Sequence, residues 1–141
     1  MVIDWTDFEA RQQREKERNY HRRVFRVAYN RFQELKYHCL RAQDLARWEI
    51  SGGRMQLLMV ADWLADFHLA GREILSGREE RLFSMYYMMV LSINSTMRAL
   101  DLHSRDSFWA ISKMVEEKVG AELLRRGLWP LRTRWGAGYF D

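Results

Sequence analysis

From Phe8 to Ile50 the chain contains neither glycine nor proline, and its one proline is Pro130 in a sequence of 141 residues. Those two residue types most often end helices and shape the turns between strands. A chain that withholds them for so long is expected to form long helices, not a sheet of many short strands. Six of the eight glycines fall in three groups, Gly52 with Gly53, Gly71 with Gly77, and Gly136 with Gly138, which predicts breaks near those points. At 48% hydrophobic and 13% aromatic residues the composition is not that of a disordered chain. The length suits one domain with a real core. The expectation is an all-α fold, one compact helical domain spanning 1–141.

Hydrophobic spacing divides that domain. Residues 1–50 read as a long basic amphipathic helix. Val24, Ala28, Phe32, Leu35, Cys39, Ala42 and Leu45 step by three or four. Its first third, "EARQQREKERN" at 9–19, has no large apolar residue and should project or stay solvated, while Trp5 and Phe8 should tuck the terminus onto the body. Residues 54–70 are apolar nearly all round, broken by Gln56, Asp62 and Asp66, and predict a central buried helix. "SGRE" at 76–79 fits a capping box opening a third helix through Met89, with Leu82, Phe83, Tyr86 and Met89 inward. Ser92 should cap a short helix to about Leu100, and a longer one should run from Arg105 to Arg126 with Gly127 as its C-cap. Residues 129–141 form an aromatic tail expected to fold back as irregular structure.

Charge is unevenly placed. Residues 9–36 hold nine Arg and Lys against four Glu, whereas the whole chain carries a net +4. That segment points to a phosphate or other polyanion, or to a solvated face that uses arginine. Signs of catalysis are weak. Asp62 and Asp66 share a face but lack a matching His or Glu, and His38, Cys39 and His68 form no ligand cluster, so neither metal nor cofactor is expected. A lone cysteine excludes an intramolecular disulfide and a Cys-based zinc site. No apolar run approaches a membrane span, and the first residues lack a signal peptide's apolar core, so a soluble cytoplasmic protein is expected.

The most informative stretch is "LSGREERLFSMYYMMVLSINSTMRALDLHSRDSFWAISKMVEEKVGAELLRRGL", residues 75–128. It opens on Leu75, Ser76, Arg78, Glu79 and Glu80, passes through Tyr86, Tyr87 and the capping Ser92, turns at Leu100 and Leu102, and closes its last helix with Glu116, Glu117, Lys118 and Val119. In these features it resembles the helix-turn-helix domain of sigma factor region four and related phage and bacterial transcription regulators. The chain carries Met97 where that family has a small residue, Asp101 where it has Gly, and Ser95 and Thr96 where it has an acidic and a branched apolar residue.

The resemblance implies a recognition helix that buries one stripe and presents the opposite face to the major groove. Phe108, Ile111, Val115 and Val119 fit the buried stripe; Arg105, Trp109, Ser112, Lys113 and Glu116 would face outward. Arg105 suits a bidentate contact to guanine, and Ser104 or Ser107 a contact to phosphate. Trp109 could press on a thymine methyl, anchor a protein partner, or fold under the tail as core. Arg98 and Lys113, with Arg22, Arg23 and Arg26 of the first helix, complete the candidate DNA-binding set. The expected function is a DNA-binding transcription regulator of phage or mobile-element type, bound to double-stranded DNA and, as the resemblance implies, in contact with RNA polymerase. The alternative is a protein-interaction module, an inhibitor or adaptor with a degenerate helix-turn-helix, which the near-balanced charge of 75–128 favours. No pairing of nucleophile and base marks an enzyme.

Overall fold

The computed structural model describes the backbone at residues 5–42 and 53–131, and the side chains at 5–37 and 59–131. The architecture is all-α: α1 (Trp5–Ala42), α2 (Gly53–Ile74), α3 (Gly77–Leu82), α4 (Ile93–Ala99) and α5 (Arg105–Arg125), with a π-helical segment, Phe83–Met88, continuing α3. No strand occurs among the described residues. No helix there is long and apolar enough to cross a membrane.

The core lies between the second half of α1, one face of α2 and the inner stripe of α5. From α1 come Val24, Phe25, Ala28, Phe32 and Leu35, four of them on the predicted stripe. Facing them are Trp63 and Phe67 of α2, and Phe32 stacks on Phe67 with ring centroids 4.7 Å apart. Phe108, Val115, Val119 and Leu123 of α5 are fully buried. Leu128 closes the far end, its carbonyl accepting the Trp63 indole N–H at 3.0 Å. Trp129 and Leu131 pack beside it, so the start of the aromatic tail does fold back; residues 132–141 lie outside the described residues.

Four expectations change. Trp5 and Phe8 do not tuck onto the body: every residue from Trp5 to Tyr20 is exposed, and the two rings meet only each other, edge to face. This arm extends about 22 Å at the usual helical rise. It is not the basic part of α1, since Arg11, Arg14, Lys16 and Arg18 are matched by Asp7, Glu9, Glu15 and Glu17. The surplus sits where α1 joins the body. Next, the helix expected to be central has one dry face only. Val60, Trp63, Phe67 and Ala70 are buried, while Ala61, Asp62, Ala65 and Leu69 are exposed. Small and apolar residues on its outer side imitate a buried helix in a count of polarity. It also continues through Gly71, because the missing Cβ there leaves room for the Phe83 ring, only 2.3 Å from where that atom would stand.

Third, Ser76 makes no side-chain cap bond; the Glu79 carboxylate, its expected partner, accepts instead from Lys118 of α5 at 2.8 Å. Fourth, Met89 is 65% exposed, and Tyr87 and Met88 are buried in its place. The wider π turn advances the register, so the stripe that begins with Leu82 and Phe83 continues at 87 and 88. A π turn also displaces backbone carbonyls, and α1 satisfies two of them. The Tyr29 hydroxyl and Gln33 amide donate to the Tyr87 carbonyl at 2.6 and 3.3 Å, and Lys36 reaches that of Met88 at 3.4 Å. Residues 43–52, including Leu45, lie outside the described residues.

The tightest contact is between α1 and α5. A Cβ on Gly120 would lie 1.9 Å from the His21 carbonyl oxygen, so the helices cross backbone to side-chain-free backbone. Gly120→Ala would gain up to about 1 kcal/mol of helix propensity. Overpacking against a rigid carbonyl costs about 1–3 kcal/mol, and the clash wins. The expected outcome is a lower melting temperature, by roughly 2–4 °C for each kcal/mol lost. An unchanged or raised midpoint in a thermal melt would show that the crossing can open freely.

The end of α5 is held by charge. Glu122 is buried and bonds Arg125 and Arg126, and Arg126 also reaches Glu73 of α2 at 2.6 Å. The two guanidinium groups hold the Glu122 carboxyl down to about 2, from an ordinary 4.5. A carboxyl depressed on folding stabilises fully above its unfolded pKa, and that contribution fades as pH falls toward the folded value. Wild type should therefore melt well above Glu122→Gln at pH 6, with the gap closing between pH 4.5 and 2. Melts across that range check it.

Candidate nucleic-acid interface

The turn between α4 and α5 is built by its own residues. Ser92 caps α4, its side chain accepting the Ser95 amide at 3.0 Å, while the Thr96 hydroxyl donates back to the Ser92 carbonyl. Arg81 donates to the Ala99 carbonyl at 2.9 Å, placing a cation at the negative end of α4. Asp101 then takes φ +56, a left-handed conformation that glycine most readily adopts. Aspartate tolerates this region better than most side chains. With Leu100 and Leu102 buried on either side, the chain reverses and Ser104 caps α5.

Ser104 and Ser107 are engaged with each other. The Ser104 oxygen accepts the Ser107 amide at 3.2 Å, and the two hydroxyls lie 3.0 Å apart. Both remain exposed, as do Arg98, Arg105 and Lys113. Those three cations have no hydrogen bond or ion pair among the described residues. Trp109 is 47% exposed and meets Phe108 edge to face at 5.0 Å; the tail expected to cover it lies, from residue 132 on, outside the described residues. Arg105, Trp109 and Lys113 thus form an open stripe on the first turns of α5.

Further along the stripe fails. Ser112 and Glu116, expected to face outward, are buried. Ser112 bonds the Tyr87 hydroxyl at 2.6 Å, and Glu116 accepts from the Nε of Arg26 at 2.8 Å. The cause is α1, which crosses α5 near Gly120 and covers that part of it. Ile111, expected in the buried stripe, is partly buried and packs at the edge of the core.

On α1 the face bearing Arg22, Arg23 and Arg26 also carries Asn19, at spacing i, i+3, i+4, i+7, and the four line an open concavity of about 300 Å³. Arg26 is tethered by Glu116, which raises its pKa through the hydrogen bond and the charge. Arg22 and Arg23 have no such tether, and the Nε of Arg22 is buried without a hydrogen-bond partner. The two halves of the candidate set come nearest at Arg26, which lies on Glu116, one turn from Lys113; the His21 carbonyl lies against Gly120, so Arg22 stands further toward the end of α5. Sequence spacing passes over Asn19 and places Glu116 on the outward face of α5, not under Arg26. The one sequence signal for both was Gly120, a glycine inside an otherwise uninterrupted helix, which marks a close approach. Among the described residues no group of His, Cys, Asp or Glu could hold a metal ion.

No protein-family model, curated protein or solved structure matches the chain.

The Arg26–Glu116 pair separates a structural arginine from two free ones. Arg26→Ala strands a buried carboxylate, which should cost about 1–3 kcal/mol. Arg23→Ala, removing an untethered surface cation, should stay within about 0.5 kcal/mol. Urea titrations of the two variants should therefore differ clearly in midpoint. Equal stability would mean that Glu116 finds water when Arg26 is gone.

Proposed function

We propose that the protein is a DNA-binding transcription regulator of phage or mobile-element type, acting in the cytoplasm through the unit formed by α3, α4 and α5. The supporting observation is the first half of α5. Arg105 and Lys113 are exposed and unpaired with Trp109 between them, while Phe108 and Val115 on the opposite side are fully buried. A recognition helix needs this division, because only side chains near its N-terminus reach the groove floor while the buried face fixes its angle. The left-handed turn at Asp101 supports the same reading, since it supplies the reversal that the family obtains from glycine. Arg105 is the base-reading residue, Ser104, Ser107, Arg98 and Lys113 lie toward the flanking phosphates, and Arg22, Arg23 and Arg26 add backbone affinity. A contact with RNA polymerase belongs to this reading through the resemblance alone.

A second reading has its own observation. Trp109 and Met114 are 47% and 42% exposed on the same helix, an apolar surface of the kind a protein partner uses as an anchor. On that reading the helix-turn-helix has become the scaffold of an inhibitor or adaptor.

Arg105→Ala and Trp109→Ala, measured side by side, separate the two. On the first reading Arg105→Ala loses about 1–3 kcal/mol on a selected duplex and relaxes preference at one or two base pairs. Because Trp109 is exposed, its variant should melt close to wild type. Selected-duplex binding that neither change affects, or no duplex binding at all, would refute the regulator reading. A protein complex abolished by Trp109→Ala would then establish the second.

A further inference from the structure

We infer that the concavity formed by Asn19, Arg22, Arg23 and Arg26 on α1 is a seat for one phosphate group, which in the cell is a phosphodiester of the DNA strand bordering the groove that α5 enters. That the phosphate belongs to DNA rests on the function proposed above; that the seat binds phosphate does not.

Three observations carry the inference. The first is charge without counter-charge. Arg11, Arg31, Arg125 and Arg126 all have carboxylate partners, yet Arg22 and Arg23 have none among the described residues, though they sit within one helical turn of each other. Their mutual repulsion is relieved by an anion and by nothing else the structure shows. The second is the unsatisfied Nε of Arg22. A buried donor without an acceptor is costly, and rotation of the guanidinium onto an oxyanion would satisfy it. The third is the tether on Arg26. Glu116 takes its Nε and so restrains the guanidinium of Arg26, which lines the concavity with Arg22 and Arg23 and keeps its two terminal nitrogens without a protein partner among the described residues. Glu116 is therefore a positioning residue: it touches no ligand, but it holds one wall of the seat.

The placement suits a strand at the edge of a groove. Along α5, Glu116 is about 16 Å from Arg105 at the usual helical rise. The major groove is about 12 Å wide, so a helix with Arg105 at the base edges has its later turns over the bordering backbone. There α1 covers α5, whose Ser112 and Glu116 are buried, and brings its own arginines. The projecting arm, with balanced charge, contributes only Asn19 at its root.

Two measurements on the full chain test this. Inorganic phosphate at low millimolar concentration, against chloride at equal ionic strength, should raise the melting temperature of wild type more than that of Arg22→Ala/Arg23→Ala. Comparing proteins removes the general stabilisation that excluded anions give. Arg72→Ala/Arg78→Ala, an equal loss of charge away from the seat, should respond as wild type does. Against random-sequence duplex, the double variant should show a slope of log affinity on log salt flatter by about one unit. Glu116→Gln, which keeps an acceptor for Arg26, should retain most of the phosphate response, whereas Glu116→Ala should weaken it. If wild type and the double variant respond alike to phosphate and their salt slopes are equal, the seat does not exist, even if Arg105→Ala still loses specificity. If phosphate is bound and lost in the double variant while no duplex binds, the seat stands and the DNA reading falls.

Discussion

The crossing of α1 over α5 is the contact on which the rest of the molecule depends. It is made possible by one missing atom, the Cβ of Gly120, which lets the His21 carbonyl approach the helix backbone. At that distance the helices interlock through polar groups as well as apolar ones. Arg26 reaches Glu116, Phe25 meets Tyr87, and Tyr87 bonds Ser112, so α5 is gripped from one side by α1 and from another by the π segment. Burial raises the pKa of the Tyr87 hydroxyl, and a neutral phenol that both packs and bonds suits such a junction. Without the crossing, Ser112 and Glu116 would face water and α5 would be the free-standing recognition helix that its sequence describes.

The π segment is the second consequence of the same packing. A regular α-helix through Phe83–Met88 would have put Tyr86 and Met89 inward and left Tyr87 away from Ser112. Widening the turn brings Tyr87 and Met88 to the core, and α1 covers the freed carbonyls with Tyr29, Gln33 and Lys36. The adjustment ends at Val90, where a β-branched residue takes φ +56. Such a residue is strained there, at a cost of order 1–3 kcal/mol. The core contacts of Tyr87 and Met88 are what hold the chain in that path.

This explains which features the sequence disclosed. Periodicity reports what one helix needs, so the stripe of α1, the Ser92 cap, the Gly127 C-cap at φ +70 and most of the inner stripe of α5 were legible. It does not report what a neighbouring helix will cover. Ser112 and Glu116 looked solvent-facing because they are polar, and they are polar because α1 offers them Arg26 and the π segment offers them Tyr87. The capping box at 76–79 failed in the same way: the local partner, Glu79, was taken by the more distant Lys118. Trp5 and Phe8 show the opposite error, since aromatic character alone said nothing about whether the chain comes back to meet them. Of the candidate interface, Arg105, Trp109 and Lys113 could be placed from spacing, whereas the division of labour among Arg22, Arg23 and Arg26 required the tertiary pairing.

That division bears on how a chain with only +4 net charge would hold a polyanion. The region 75–128 is close to neutral, and a free-standing helix-turn-helix of that charge would have little hold on the phosphate backbone. The crossing changes the balance locally without adding charge. It buries Glu116 under Arg26, which removes an acid from the outer face of α5, and it groups Arg22 and Arg23 with Arg26 around one concavity. Meanwhile the acids and bases of the projecting arm cancel one another away from the body. The surface around Arg26 is thus more basic than the composition of either segment implies, and it is made so by geometry. On the function proposed above, groove reading by α5 and backbone affinity from α1 would be one property of the α1–α5 junction. A substitution at Gly120 that parts the two helices would weaken the second function even where the residues of the first are untouched.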